Sequence, residues 1–82
     1  MARFIGVHKV SLGTTEEQMR SAWEGYKQSC QSMGLKPLSL LYNLEKEVAY
    51  CQTEAGSADE VREAHQGVAV ALDDVFEVKT LN

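Results

Sequence analysis

Residues 36–61 read KPLSLLYNLEKEVAYCQTEAGSADEV, and this stretch decides the architecture. Leu38, Leu40, Leu41 and Tyr42 form a short apolar run. Pro37 precedes them, a position a strand tolerates because little of the ladder needs its missing N–H. Leu44-Glu45-Lys46 is a polar hairpin loop, and Glu47 to Glu54 brings a second run with Val48, Ala49, Tyr50 and Cys51. Ala55-Gly56 breaks that run. Ser57 then stands three residues before Glu60, the spacing of a capping box at a helix start. Ala58, Val61, Ala64 and Val68 follow at helical intervals, with Gly67 loosening the end. The stretch is a β-hairpin that feeds a helix.

The flanks repeat the logic. Arg3 to Val10 carries Phe4, Ile5, Val7 and Val10, a short run rich in β-branched residues. Ser11-Leu12-Gly13 turns the chain. Thr14 and Glu17 offer a second capping box, and Met19, Ala22, Trp23, Tyr26, Cys30 and Met33 trace one helical face up to a stop at Gly34. Beyond the second helix, Asp73-Asp74 turns into a last strand, Val75 to Lys79. The order is β-α-β-β-α-β. Two interlocked right-handed crossovers in one domain (residues 1–82) predict an α+β, ferredoxin-like sandwich. Its four-stranded antiparallel sheet has order 4-1-3-2, with both helices on one face.

Composition bounds the partners. The chain has 82 residues, 8 Lys+Arg against 12 Asp+Glu and a formal charge of −4. That balance, with no basic cluster, argues against nucleic acid and against an anionic membrane surface. No apolar run approaches the roughly 20 residues of a membrane span, and no signal peptide is recognised at the N-terminus. The expected compartment is the cytoplasm. The two cysteines, Cys30 and Cys51, make no disulfide framework and are expected as reduced core residues.

Strand alternation sorts side chains between faces. Ile5, Val7, Ala49, Cys51, Leu41, Phe76 and Val78 are assigned to the face under the helices, packed around a largely buried Trp23 with Met19 and Tyr26. Phe4, Val48, Tyr50, Leu38, Leu40, Tyr42 and His8 then fall on the open face. That is too much apolar area to leave in water, and it predicts a homodimer that pairs open sheet faces.

His8 draws attention as an imidazole expected on that open face near Tyr42 and Tyr50. It can ligate a metal or act as acid or base; the plainer reading is a histidine satisfied by a tyrosine hydroxyl in the interface. His65 follows Val61 by four residues, at the edge of the second helix's apolar stripe, where packing alone explains it. Glu54, ending the third strand, is a candidate carboxylate ligand or a solvated terminus. The acidic pairs Glu16-Glu17 and Asp59-Glu60 sit where helix dipoles favour them. No phosphate loop, nucleophile elbow or Cys-His-Asp set is recognisable, so a non-catalytic protein is expected.

The segment Tyr50-Cys51-Gln52-Thr53-Glu54-Ala55-Gly56-Ser57-Ala58-Asp59-Glu60-Val61 resembles the central motif of a family of small bacterial nickel-binding proteins, a domain of unknown function. The Asp73-to-Val78 ending and the strand bearing His8 fit the same pattern. The resemblance implies a ferredoxin-like fold, a dimer, a divalent metal ion with nickel foremost, and roles as ligands for His8 and His65. Two departures thin the pattern. Relatives often carry a second His after the helix one, whereas Gln66 to Leu72 here offers none, and Gly56 stands where a Pro is usual. With two histidines per chain, His8 from both subunits of a dimer could complete a site, with Tyr50, Gln52 or Glu54 around it. The leading expectation is a dimeric metal-binding protein. The alternatives are a dimeric α+β barrel that binds or oxidises a small aromatic molecule, and a structural dimer without ligand.

Overall fold

The computed structural model describes residues 1–68 and 70–82. The chain runs β1 (Ala2–Lys9), α1 (Glu16–Ser32), β2 (Lys36–Asn43), β3 (Val48–Ala55), α2 (Ala58–Gln66) and β4 (Asp74–Val78). The sheet order is β2-β3-β1-β4, with every pair antiparallel, the ferredoxin-like α+β arrangement expected. Tyr26 and Cys30 of α1 and Val61 and Ala64 of α2 join one core with Phe4, Cys51, Ala55 and Val75 of the sheet. Both helices therefore cover the same face.

Local chemistry fixes the helix ends. Thr15, one residue later than expected, caps α1: its hydroxyl accepts from Gln18 N–H, and the Gln18 side chain returns the bond to Thr15 N–H. Ser57 caps α2 by accepting from Glu60 N–H, while the Glu60 carboxylate reaches back to Gly56 N–H. Gly34, at φ +75°, takes the left-handed conformation that lets the chain leave α1 for β2.

The facing of β3 is as expected, but that of β1, β2 and β4 is reversed. Gly6 pairs with Cys51 and with Val75, His8 with Ala49, and Phe4 with Thr53. Directly paired residues share a face, so Phe4, Gly6 and His8 lie under the helices and Ile5 and Val7 on the open side. In β2 a bulge between Pro37 and Ser39 inserts one residue. It resets the alternation, so that Leu40 pairs with Cys51 under the helices and Leu41 with Tyr50 on the open side. Phe76 pairs with Ile5 and Val78 with Arg3, also on the open side. Trp23 is only half-buried, and its expected neighbours Ile5, Val7, Phe76 and Val78 are on the other face of the sheet. Part of the open face is apolar and exposed: Leu41 at 52%, Phe76 at 45% and Tyr50 at 37%.

Under the helices the Tyr26 hydroxyl meets the fully buried Thr53 hydroxyl at 2.7 Å. Tyr26→Phe removes one partner and leaves the other without its bond. Urea unfolding is expected to show a loss of about 1–2 kcal/mol, and no loss would mean that solvent reaches Thr53.

Candidate metal centre

β1, β3 and α2 converge on one point. His8 near the end of β1, Cys51 in the middle of β3 and His65 in the last turn of α2 are all buried. One donor atom from each lies within 4.8 Å of the others. Cys51 Sγ is 3.5 Å from His8 Nε2 and 3.5 Å from His65 Nε2. The imidazole centroids are 5.0 Å apart, and the Tyr26 ring packs on His65 at 4.2 Å.

The backbone fixes both tautomers. His8 Nδ1 lies 2.7 Å from the Ala71 carbonyl, and His65 Nδ1 lies 2.7 Å from the Val61 carbonyl. A carbonyl only accepts, so each Nδ1 carries the proton and donates it. In each neutral ring Nε2 is left with a lone pair directed toward Cys51. The Ala71 carbonyl is itself held in place, because Asp73 N–H bonds Val7 O and the Asp73 carboxylate accepts from Lys9 N–H. Two imidazoles oriented by second bonds are the usual dress of metal-ligating histidines.

The proton count points the same way. Every buried polar side-chain atom among the described residues has a neighbour within hydrogen-bond reach. Yet the Cys51 thiol owns one proton and faces two lone pairs, so one imidazole nitrogen goes without a donor. A cation drawn in among the three donors would give each of them a partner. With metal–nitrogen distances of about 2.0–2.1 Å and metal–sulfur of about 2.3 Å at tetrahedral angles, the S···N edge is about 3.5–3.6 Å. The two observed edges match that spacing.

Burial sets the charge states. Desolvation pushes the Cys51 thiol up to about 11, against a smaller opposing pull from the Gly6 N–H. Desolvation also lowers His65, overcoming its bond to Val61, with His8 adding to the effect. The fold therefore favours a neutral thiol and a neutral His65. The unfolded chain binds a proton at His65 below its ordinary value near 6.5, before the native state does, so this histidine lowers stability as pH falls from there. Denaturant midpoints are expected to drop as pH falls below about 6.5, and His65→Gln to remove part of that slope. An unchanged slope would mean that His65 is not held neutral.

The candidate ligands fare differently. His8 and His65, expected on the open sheet face and on the helix layer, come together with their ring centroids 5.0 Å apart. Glu54 lies on the other face of the sheet, its carboxylate 3.8 Å from the Arg3 guanidinium, and does not join the group. Cys51, assigned to the buried core by sequence, is the residue that bridges the two histidines. Its side-chain contact with His8 was hidden by the reversed facing of β1. Cys30 is fully buried and reduced on α1.

A cavity of about 70 Å³ adjoins the three donors, with Trp23, Tyr26, Met19 and Leu40 in its wall. Fold and site together define a ferredoxin-like α+β domain with a buried His-Cys-His group able to hold a metal ion. Among solved structures the chain is similar to that of SCO4226 from Streptomyces coelicolor A3(2), with a TM-score of 0.90 at 22% identity, covering 99% of this chain and 100% of that one. That likeness speaks to the fold. No protein-family model and no curated protein matches the chain. No helix among the described residues is long and apolar enough to cross a membrane.

Proposed function

We propose that the protein binds one late divalent metal ion per chain between His8 Nε2, Cys51 Sγ and His65 Nε2, without catalysis, and does so as a homodimer. The observation that carries the metal is the pair of 3.5 Å edges from one thiol to two imidazoles whose other nitrogens are fixed by carbonyls. Two imidazoles and a thiolate suit zinc, cobalt, nickel or copper and disfavour magnesium and calcium. The resemblance of Tyr50–Val61 to nickel-binding proteins places nickel among the ions to test. A catalytic thiol is the weaker reading, because burial holds Cys51 protonated near neutral pH, whereas a nucleophile needs the thiolate.

Homodimerisation through the open face is supported by exposed Leu41, Tyr50 and Phe76 beside Ile5 and Val7, a set that one chain leaves uncovered. Sedimentation equilibrium tests it, with Phe76→Glu expected to shift the protein toward monomer.

Calorimetry of untagged protein with zinc, nickel and cobalt tests the site. One ion per chain is expected. His8→Ala, Cys51→Ala and His65→Ala are each expected to weaken binding at least about 100-fold, since three protein ligands cannot spare one. Glu54→Gln is expected to leave it unchanged. Affinity indifferent to all three ligand substitutions would sink the proposal.

A further inference from the structure

The cavity at the metal centre has a size, a wall and a charge environment that together describe a guest. It is bounded by His8, Cys51 and His65 on one side and by side chains such as Met19, Ala22, Trp23, Tyr26, Leu40 and Val70 on the other. Its volume of about 70 Å³ exceeds the roughly 10–15 Å³ that one water requires and falls well short of the roughly 150 Å³ that accepts benzene. A guest of three or four non-hydrogen atoms fills its enclosed part, and its mouth is open to solvent.

The wall offers such a guest little to bond. Met19, Ala22, Leu40 and Val70 carry no hydrogen-bonding hydrogen, and the Tyr26 hydroxyl is engaged with Thr53 at 2.7 Å. Apart from the Trp23 indole N–H, the lining leaves a polar end of the guest only the three donors and the ion they would hold. Charge narrows the class further. A divalent ion with one thiolate and two neutral imidazoles carries a net single positive charge. Among the described residues the donor group gathers no carboxylate, so nothing within it neutralises that charge. Residual charge beside apolar walls is costly, and three protein ligands leave a tetrahedral ion one position short.

We infer that this cavity is the binding site of one small monoanion with a short apolar body, a short alkyl thiolate being the type, which occupies the ion's remaining position. The inference rests on the metal-binding reading above. Binding from the thiol releases its proton to solvent as the metal–sulfur bond forms, with no change of oxidation state. The guest's donor atom meets the ion, and its carbon tail lies against Trp23 and Leu40.

The test uses cobalt(II)-loaded protein, whose visible bands report coordination directly. Azide and ethanethiol, each three non-hydrogen atoms, are titrated in, with thiophenol as the oversized control and cobalt content measured after desalting. The expected result is a shift of the bands that saturates at one anion per retained cobalt, with no response to thiophenol. Ala22→Leu, which fills the cavity from α1, is expected to keep cobalt binding and lose the shift. Bands that ignore both azide and ethanethiol while cobalt stays bound overturn the inference and leave the metal site standing. So do an equal response to thiophenol, loss of cobalt on titration, and a full shift in Ala22→Leu. A chain that takes up no cobalt overturns the metal-binding reading itself.

Discussion

Zinc at a hundredfold excess over its dissociation constant is expected to raise the thermal midpoint by about 10–20 °C. A ligand that binds the native state alone adds about 2.7 kcal/mol at that excess, and in a domain of this size each kcal/mol moves the midpoint by about 4–8 °C. At a fixed zinc concentration the gain is expected to grow with pH. The Cys51 thiol, pushed up to about 11, must lose its proton to ligate, so each ion releases one proton near pH 7.5. Affinity then rises about tenfold per pH unit through the neutral range. Scanning calorimetry between pH 7 and pH 8.5, with the binding enthalpy compared across buffers of different ionisation heat, reads both effects. Binding without proton release would place the ion away from Cys51.

Much of this architecture is legible without coordinates, because capping boxes, apolar periodicity and the hairpin are local signals. The apolar run Leu38, Leu40, Leu41 and Tyr42, with Pro37 before it and a polar loop after it, lies within β2, Lys36–Asn43. What local signals do not carry is which face of a strand the helices cover. β1 is apolar on both sides, with Phe4 and Val10 on one and Ile5 and Val7 on the other, so alternation alone cannot choose. The choice is made by what the helices bring. α2 sets His65 against β1 on the side where Gly6, without a Cβ, leaves room for it. In β2 the bulge at Leu38 changes the parity partway along, and no residue type announces it. His8 and His65 were visible as lone histidines, but their meeting depends on the facing of β1. Cys51 looked like a small core residue, which it is; it becomes a candidate ligand only when His8 lies inward beside it. The 57-residue separation of the two histidines is closed by topology, which sequence spacing does not encode.

That facing makes Gly6 a sensitive position for the candidate metal site, outside its three candidate ligands. It pairs with Cys51 across the sheet, and a Cβ placed there would stand 2.6 Å from Cys51 Sγ, 3.0 Å from Leu72 Cδ1 and 3.6 Å from His65 Cε1. The first distance is shorter than real Cβ contacts allow. The obstructing atom is not the loose end of a long side chain but a thiol one bond from a Cβ fixed in a central strand. Gly6→Ala therefore has to displace Sγ or spread β1 from α2. Overpacking of this kind costs about 1–3 kcal/mol. Displacing Sγ also spoils the two 3.5 Å edges to Nε2, so metal affinity is expected to fall about 100-fold, at the upper end of what misplaced supporting groups cost. Gly25→Ala is the matched control. There a Cβ would meet Val68 Cγ1 at 3.4 Å, an ordinary contact, and a methyl in the middle of α1 relieves the conformational cost of a helical glycine by about 0.5–1 kcal/mol. The same chemical change is thus expected to destabilise at position 6 and to stabilise at position 25, read by urea midpoints, with metal binding lost only in the first. Equal metal affinity in the two variants would mean that Cys51 Sγ has room to move and that Gly6 does not shape the site.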